Sequence, residues 1–393
     1  MKHVTTFFIF AAMLIGLSFN VQAENIKILH GPYLQNVGET EATFVWEVNN
    51  PSIGWVELAP DDGSHFYATP RTKYFNTKSG VKMTSQLHAV KITGLQPGTT
   101  YRYRVYAQEV LSHEGWRVHY GDIAATNVYS QKPLTFTTRD TKKSTTSFII
   151  LNDVHARKDV ITPLLNFAKY KEREMVFFNG DMVSQFTDEQ TIFDGFMDES
   201  IQVFAKEKPL YYVRGNHETR GPFATHFQDY FNPRENHIYG TLQDGPIFFI
   251  LLDTGEDKPD SDLEYAGITD YDNYRTEQVE WLKQVIASEA FKQAKFKVVI
   301  GHIPPVPEKG AWHGTREVME KFVPILNKGG VDIMICGHLH QHVYVEPSEK
   351  VHFPVLVNSN NACVLAETKG NELNVKVIGL DGKVTFDKNY PAK

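Results

Sequence analysis

Polar and apolar residues alternate one by one through the first third of the chain. Beyond it, short unbroken apolar runs are separated by helical spacings. In the first part, Ala42-Thr43-Phe44-Val45-Trp46-Glu47-Val48 and Trp55-Val56-Glu57-Leu58 predict strands, with turns at Asn49-Asn50-Pro51 and Asp61-Asp62-Gly63. Residues 88–105 predict one alternating strand, a turn at Pro97-Gly98 and a second alternating strand, and Leu134-Thr135-Phe136-Thr137-Thr138 reads as the last of the set. Spaced strands with turn signals predict an all-β sandwich over residues 24–140. Asp140-Thr141-Lys142-Lys143-Ser144 is polar enough to be the linker.

From residue 145 to 393 the pattern predicts an α/β domain with a β-rich end. Ser147-Phe148-Ile149-Ile150-Leu151 and Met175-Val176-Phe177-Phe178 read as buried strands around a helix near 160–170, which implies a parallel pair with a crossover. Strands follow at 210–213, 247–252, 297–300 and 331–335, with helices near 190–205, 276–290 and 316–327. The tail from about 342 returns to strands and closes with a hairpin at Asp381-Gly382.

Composition narrows the class. A chain of 393 residues, 41% hydrophobic and 12% aromatic, can bury a large core. Its net charge of −7 argues against nucleic acid or an anionic membrane as the main partner, since both reward a basic face. Residues 1–23 carry Lys2 and His3, an apolar run from Phe7 to Leu17, and Val21-Gln22-Ala23 before a cut, which predicts a secretory signal peptide and a periplasmic or secreted protein. No later stretch is apolar enough to predict a membrane-spanning helix. The two cysteines, Cys336 and Cys363, read as small buried residues rather than a disulfide.

Candidate chemistry sits where the apolar strands end. Those ends carry Asp153-Val154-His155, Gly180-Asp181, Gly215-Asn216-His217-Glu218, Gly301-His302 and Gly337-His338-Leu339-His340. Taken singly, Asp-x-His or Gly-Asp is a common loop or turn, and Gly-His-x-His fits a capped turn. Together they offer carboxylate, imidazole and amide oxygen, a set that suits Mn, Fe, Zn or Co better than magnesium. Seven candidate ligands (Asp153, His155, Asp181, Asn216, His302, His338 and His340) are too many for one metal and suit two.

With these motifs in this order, the sequence resembles the calcineurin-like metallophosphoesterase superfamily from about Ser147 to the end. Residues 88–105 resemble the Leu-x-Pro-Gly-Thr-x-Tyr-x-Tyr corner of fibronectin type III modules, a domain most simply read as a spacer packed on the next. The two-domain layout is similar to that of the purple acid phosphatases. The resemblance implies a four-layer α-β-β-α sandwich and two divalent metal ions, of manganese, iron or zinc. Asp153, His155 and His340 would hold one, and Asn216, His302 and His338 the other, with Asp181 bridging. One departure stands out: purple acid phosphatases have glycine at His155 and an iron-binding tyrosine at Ser184, so the metal site follows the wider superfamily.

The implied activity is that of a hydrolase acting on phosphoric ester bonds, like an acid phosphatase, on small-molecule phosphate monoesters. A water shared by two cations would attack phosphorus. By the resemblance His217 lies over the phosphate as proton donor; otherwise it is a structural histidine bonded to Glu218. Arg214, Glu218 and Asp253 are candidates to support the ligands from behind. His342 reads as a surface residue, and Trp312-His313-Gly314 as either a loop at the substrate entrance or an inert turn. A phosphodiesterase with the same site, and an inactive exported binding or scaffold protein, remain alternatives.

Overall fold

The computed structural model describes residues 24–231, 235–306 and 311–392. The predicted signal peptide lies outside the described residues, and none of the described helices is long and apolar enough to cross a membrane. The front domain carries strands β1 (Ile28–Gln35), β2 (Glu41–Pro60), β3 (Lys73–Phe75), the small hairpin β4 (Thr77–Lys78) and β5 (Val81–Lys82), β6 (Thr84–Thr93), β7 (Thr100–Glu114), β8 (Arg117–Ala125) and β9 (Leu134–Thr137). Its layers are joined through β2, whose first half pairs with β1 and β6 and whose second half pairs with β7 and β3. Phe44 of the first half packs on Tyr103 of β7 and Phe136 of β9, closing an apolar core around buried Trp46.

The turn expected at Asn49-Asn50-Pro51 is instead an irregularity within one long strand. The register of β2 against β6 shifts between Glu47 and Ser52, so Pro51, which has no N–H to give a ladder, falls in a bulge and the strand runs on.

The second domain is built on two six-stranded sheets. One has the order β12 (Leu210–Val213), β11 (Met175–Asn179), β10 (Ser147–Leu151), β19 (Ala362–Lys369), β20 (Glu372–Gly379) and β21 (Val384–Pro391). The other runs β13 (Gly240–Asp244), β14 (Ile247–Leu252), β15 (Phe296–Gly301), β16 (Ile333–Cys336), β18 (Val355–Val357) and β17 (Val343–Val345). The unbroken apolar runs follow from burial on both faces. Phe148, Ile150 and Phe177 meet Phe249, Val298 and Ile335 between the sheets. Ile149, Leu151 and Phe178 face the helical side of the first sheet. Helices Tyr271–Ala287 and Val323–Gly329 cover the second sheet. The layers are therefore α-β-β-α. The parallel strands β10, β11 and β12 point their C-terminal ends the same way, as do β14, β15 and β16. That arrangement brings every candidate motif to one rim.

Strand β13 has only Leu242 as a large apolar residue and gave no alternation to read; it is an antiparallel edge added to β14. The helix expected near 160–170 is shorter, Ile161–Phe167, because Lys169 turns left-handed with φ of 54°. The hairpin at Asp381-Gly382 forms as read, joining β20 to β21. Cys336 and Cys363 are buried and unpaired. The front domain docks through polar contacts around an apolar patch: Tyr103 Oη donates to the Lys206 carbonyl at 2.6 Å and Tyr211 Oη to that of Val37 at 2.6 Å.

Phe177 makes edge-to-face contact with Phe148 at 5.7 Å between ring centres and packs on Phe249 at 5.2 Å. We expect Phe177→Ala to destabilise the protein by about 3–5 kcal/mol, measured by urea unfolding of the catalytic-domain transition. A loss under about 1 kcal/mol would mean that the inter-sheet core repacks around the cavity.

Candidate metal centre

Each candidate ligand follows a β-strand and most sit on a strained backbone. Asp153, His155, Asp181, His338 and His340 all have positive φ, between 48° and 74°. For residues other than glycine that conformation is costly and persists only where the surroundings impose it. Two glycines make room for the convergence. A Cβ on Gly215 would lie 2.3 Å from Asp181 Oδ1, and one on Gly180 would lie 2.4 Å from His302 Nδ1.

The strand ends bring two groups of ligand atoms together. Asp153, His155, Asp181 and His340 form one group, and Asp181, His302 and His338 the other; within each, the ligand atoms lie within 4.8 Å of one another. Asp181 belongs to both. In the first group, His340 Nε2 is 3.3 Å from Asp153 Oδ1 and 3.1 Å from His155 Nε2. In the second, His302 Nε2 is 3.0 Å from Asp181 Oδ2. Asn216 joins that second group, its Oδ1 3.0 Å from His338 Nδ1.

The charge of this centre fits a cation. Asp153, Asp181 and Glu218 are all buried, and among the described residues no lysine or arginine forms an ion pair with them. Asp153 Oδ1 and His302 Nε2 are buried with no hydrogen-bond partner of their own. Burial by itself would lower the pKa of His302, but Asp181 and Asp153 hold it at about 10. Burial would raise the Asp181 carboxyl, yet His302 and His217 hold it well below the usual range. Burial pushes His155 down to about 4, and burial with His302 does the same to His338. Both offer a free lone pair. A third group, Asp272, His313 and Glu317, is already compensated: Arg275 Nη1 lies 3.0 Å from Asp272 Oδ1, and Lys321 pairs with Glu317.

Glu218 holds the two central loops together. Its carboxylate accepts from the backbone N–H of Asp181 and Met182 at 2.8 Å each, from Gly215 N–H at 2.9 Å, and from Tyr212 Oη at 2.8 Å. Burial and the Asp181 charge raise its pKa. Asn152 plays a comparable part beside Asp153, donating to its Oδ2 at 2.6 Å while Asn358 donates to Asn152 Oδ1 at 2.6 Å. His302 Nδ1 donates to the Asn179 carbonyl at 2.7 Å, which directs Nε2 into the site.

His217 touches neither group as a ligand and is not bonded to Glu218. Its Nδ1 lies 2.7 Å from the Ser184 carbonyl, an acceptor only, so Nδ1 carries the hydrogen and Nε2 faces Asp181 Oδ2 at 3.8 Å. Arg220 Nη1 is 3.4 Å from both ring nitrogens, and the same guanidinium is clamped by Glu256 at 2.9 Å. Arg220 was missed in the sequence, although it stands three residues after His217. Glu256 and Asp257 were missed too; they follow strand β14, whose end has an acid and a glycine but no histidine. Arg214 and Asp253 pair with each other at 2.7 Å under Tyr271 and Tyr274, and neither joins the two ligand groups. His342 packs on Phe386 at the surface. Trp312 lines the cleft over the centre, together with Pro304, Val306, Ala311 and Leu339.

Fold and site together define a metal-dependent hydrolase of the α-β-β-α kind. The calcineurin-like phosphoesterase model matches residues 146–342, and the purple acid phosphatase N-terminal domain model matches residues 30–138. Purple acid phosphatase 18 of Arabidopsis thaliana is 22% identical over 347 residues, 83% of this chain and 68% of that protein. Purple acid phosphatase 22 of the same plant is 24% identical over 284 residues, 69% of this chain and 55% of that protein. The solved purple acid phosphatase PPD1 from yellow lupin seeds superposes with a TM-score of 0.67 at 15% identity, covering 91% of this chain and 73% of that one. The chain belongs to the calcineurin-like phosphoesterase family and is a phosphoric ester hydrolase.

Replacing Glu218 by glutamine puts a donor against backbone N–H groups that need an acceptor. We expect Glu218→Gln to weaken Mn²⁺ binding about 10- to 100-fold by calorimetry while the far-ultraviolet spectrum is retained. Unchanged affinity would mean that the Gly180 and Gly215 loops hold their geometry without it.

Proposed function

We propose that the protein is an exported phosphomonoesterase whose cleft holds two divalent cations. The observation that carries this reading is the membership of Asp181 in both groups of ligand atoms. Asp153, His155 and His340 would surround one cation, Asn216, His302 and His338 the second, with Asp181 between them. Bound there, such cations supply Lewis acidity, favouring deprotonation of water and drawing negative charge from the phosphoryl oxygens. The chain's own residues do the rest. Water oxygen bonds to phosphorus, losing one proton to solvent, as the bond to the leaving oxygen breaks, and His217 in its imidazolium form gives that oxygen the proton on Nε2. The Ser184 carbonyl accepts from Nδ1 and so turns Nε2 toward Asp181. Export rests on the pattern of residues 1–23. Monoester preference rests on the relatives' being phosphatases.

The test of substrate class is turnover of 4-nitrophenyl phosphate against its bis-ester by Mn²⁺-loaded protein. Faster hydrolysis of the monoester is expected. The reverse ranking would make it a diesterase, and no turnover of either would favour a binding protein. The proton-donor role of His217 is tested with esters of graded leaving-group basicity. His217→Ala is expected to lose about 10²- to 10⁴-fold on the most basic leaving groups and much less on 4-nitrophenolate. An equal loss across the series would remove the proton transfer from His217.

Metal character gives a separate test. Ser184 Oγ, not a phenol, faces His155 Nδ1 at 3.4 Å. The two nearby tyrosines in strand β12 are committed elsewhere, Tyr211 to Val37 and Tyr212 to Glu218. Iron-loaded, air-oxidised protein is therefore expected to lack a strong visible tyrosinate band. Such a band would require another tyrosine at the first site and would displace His155 from it.

A further inference from the structure

We infer that the apolar wall of the cleft receives the leaving group, and that preferred substrates are phosphomonoesters whose alcohol carries an aromatic ring on a short spacer. This rests on the phosphomonoesterase reading and adds the substrate class. Trp312 is 58% exposed, and its ring lies 6.5 Å from that of His338. The other exposed large apolar side chains of this domain, among them Leu263, Ile268 and Val384, do not line the cleft. An indole facing water beside a phosphoryl site is a stacking surface awaiting a planar partner.

The rest of the wall fits such a partner. Pro304, Val306, Ala311 and Leu339 give the cleft around Trp312 an apolar surface, and Thr315 is the one hydroxyl side chain among the described lining residues. Across the cleft stand Arg220 and Lys258, but their charges are already met. Arg220 is bound by Glu256 and Asp257, and Lys258 pairs with Glu264. A second anionic group on the substrate would find no unpaired cation among these. The Trp312 backbone is also fixed. Gly314 N–H donates to the Asp257 carbonyl at 2.9 Å, and a Cβ on Gly314 would lie 2.8 Å from Asp257 Cα, so the segment is pressed onto the cleft floor.

Because His338 is so near, a ring stacked on Trp312 belongs to a group joined closely to the ester oxygen. The test uses 2-phenylethyl phosphate and ethyl phosphate, whose alkoxide leaving groups are alike in basicity, so that stacking is separated from departure chemistry. With Mn²⁺-loaded protein, kcat/KM for the phenylethyl ester should exceed that for the ethyl ester about three- to tenfold. The ratio should fall to about one in Trp312→Ala and recover in Trp312→Phe. The Kd ratio of the corresponding non-hydrolysable phosphonates, measured by calorimetry, should move in parallel. A ratio kept in Trp312→Ala, or not recovered in Trp312→Phe, overturns the inference and leaves the phosphoesterase reading intact. Hydrolysis of neither ester by wild-type protein overturns both.

Discussion

Three carboxylates, Asp153, Asp181 and Glu218, are buried at the end of one pair of sheets with only histidines as ionisable neighbours of opposite charge. Removing charge from water is unfavourable by several kcal/mol per ion unless the surroundings compensate. Backbone and tyrosine donors satisfy Glu218. Asp181 is met by the His302 imidazole, whose Nε2 lies 3.0 Å from Oδ2, and by the backbone N–H of His217 at 2.9 Å. Asp153 keeps one oxygen with no donor. The rim therefore gathers buried negative charge where a cation would be favoured. Left-handed backbone at five ligand positions, the glycines that let the loops close and the Glu218 clamp all serve to bring that negative charge to one place.

That constraint explains why the site sits where it does in the fold. Parallel strands deliver successive loops to the same rim, so motifs spread over nearly two hundred residues converge without any being near another in sequence. The front domain contributes no residue to the lining of the cleft; it packs on the side of the first sheet and its helices. Ser184 and His155, the two positions at which the resemblance implies a departure from the purple acid phosphatase pattern, stand together, Ser184 Oγ lying 3.4 Å from His155 Nδ1.

Much of this was legible in the chain. Apolar runs ending in glycine and a polar group gave both the strands and the seven candidate ligands, because burial on both faces of two packed sheets leaves little freedom in composition. The helix boundaries and the edge strand Gly240–Asp244 were less legible, since exposed elements carry weak patterns. Around the site, Arg214 and Asp253 look from their positions like supports for the ligands, yet they point into a separate aromatic pocket and pair there. Neighbourhood in sequence does not fix which way a side chain faces. Arg220, Asn152 and Asp257 escaped for the opposite reason: their roles depend on partners supplied by distant loops.

The central claim is that Asp181 is shared by two cations, and the most direct measurement is an anomalous-difference map from crystals of Mn²⁺-loaded protein. The account predicts two peaks, one among Asp153, His155 and His340, the other among Asn216, His302 and His338, each within ligand distance of Asp181. A single peak, or occupancy at Asp272, His313 and Glu317 in place of these, would contradict it.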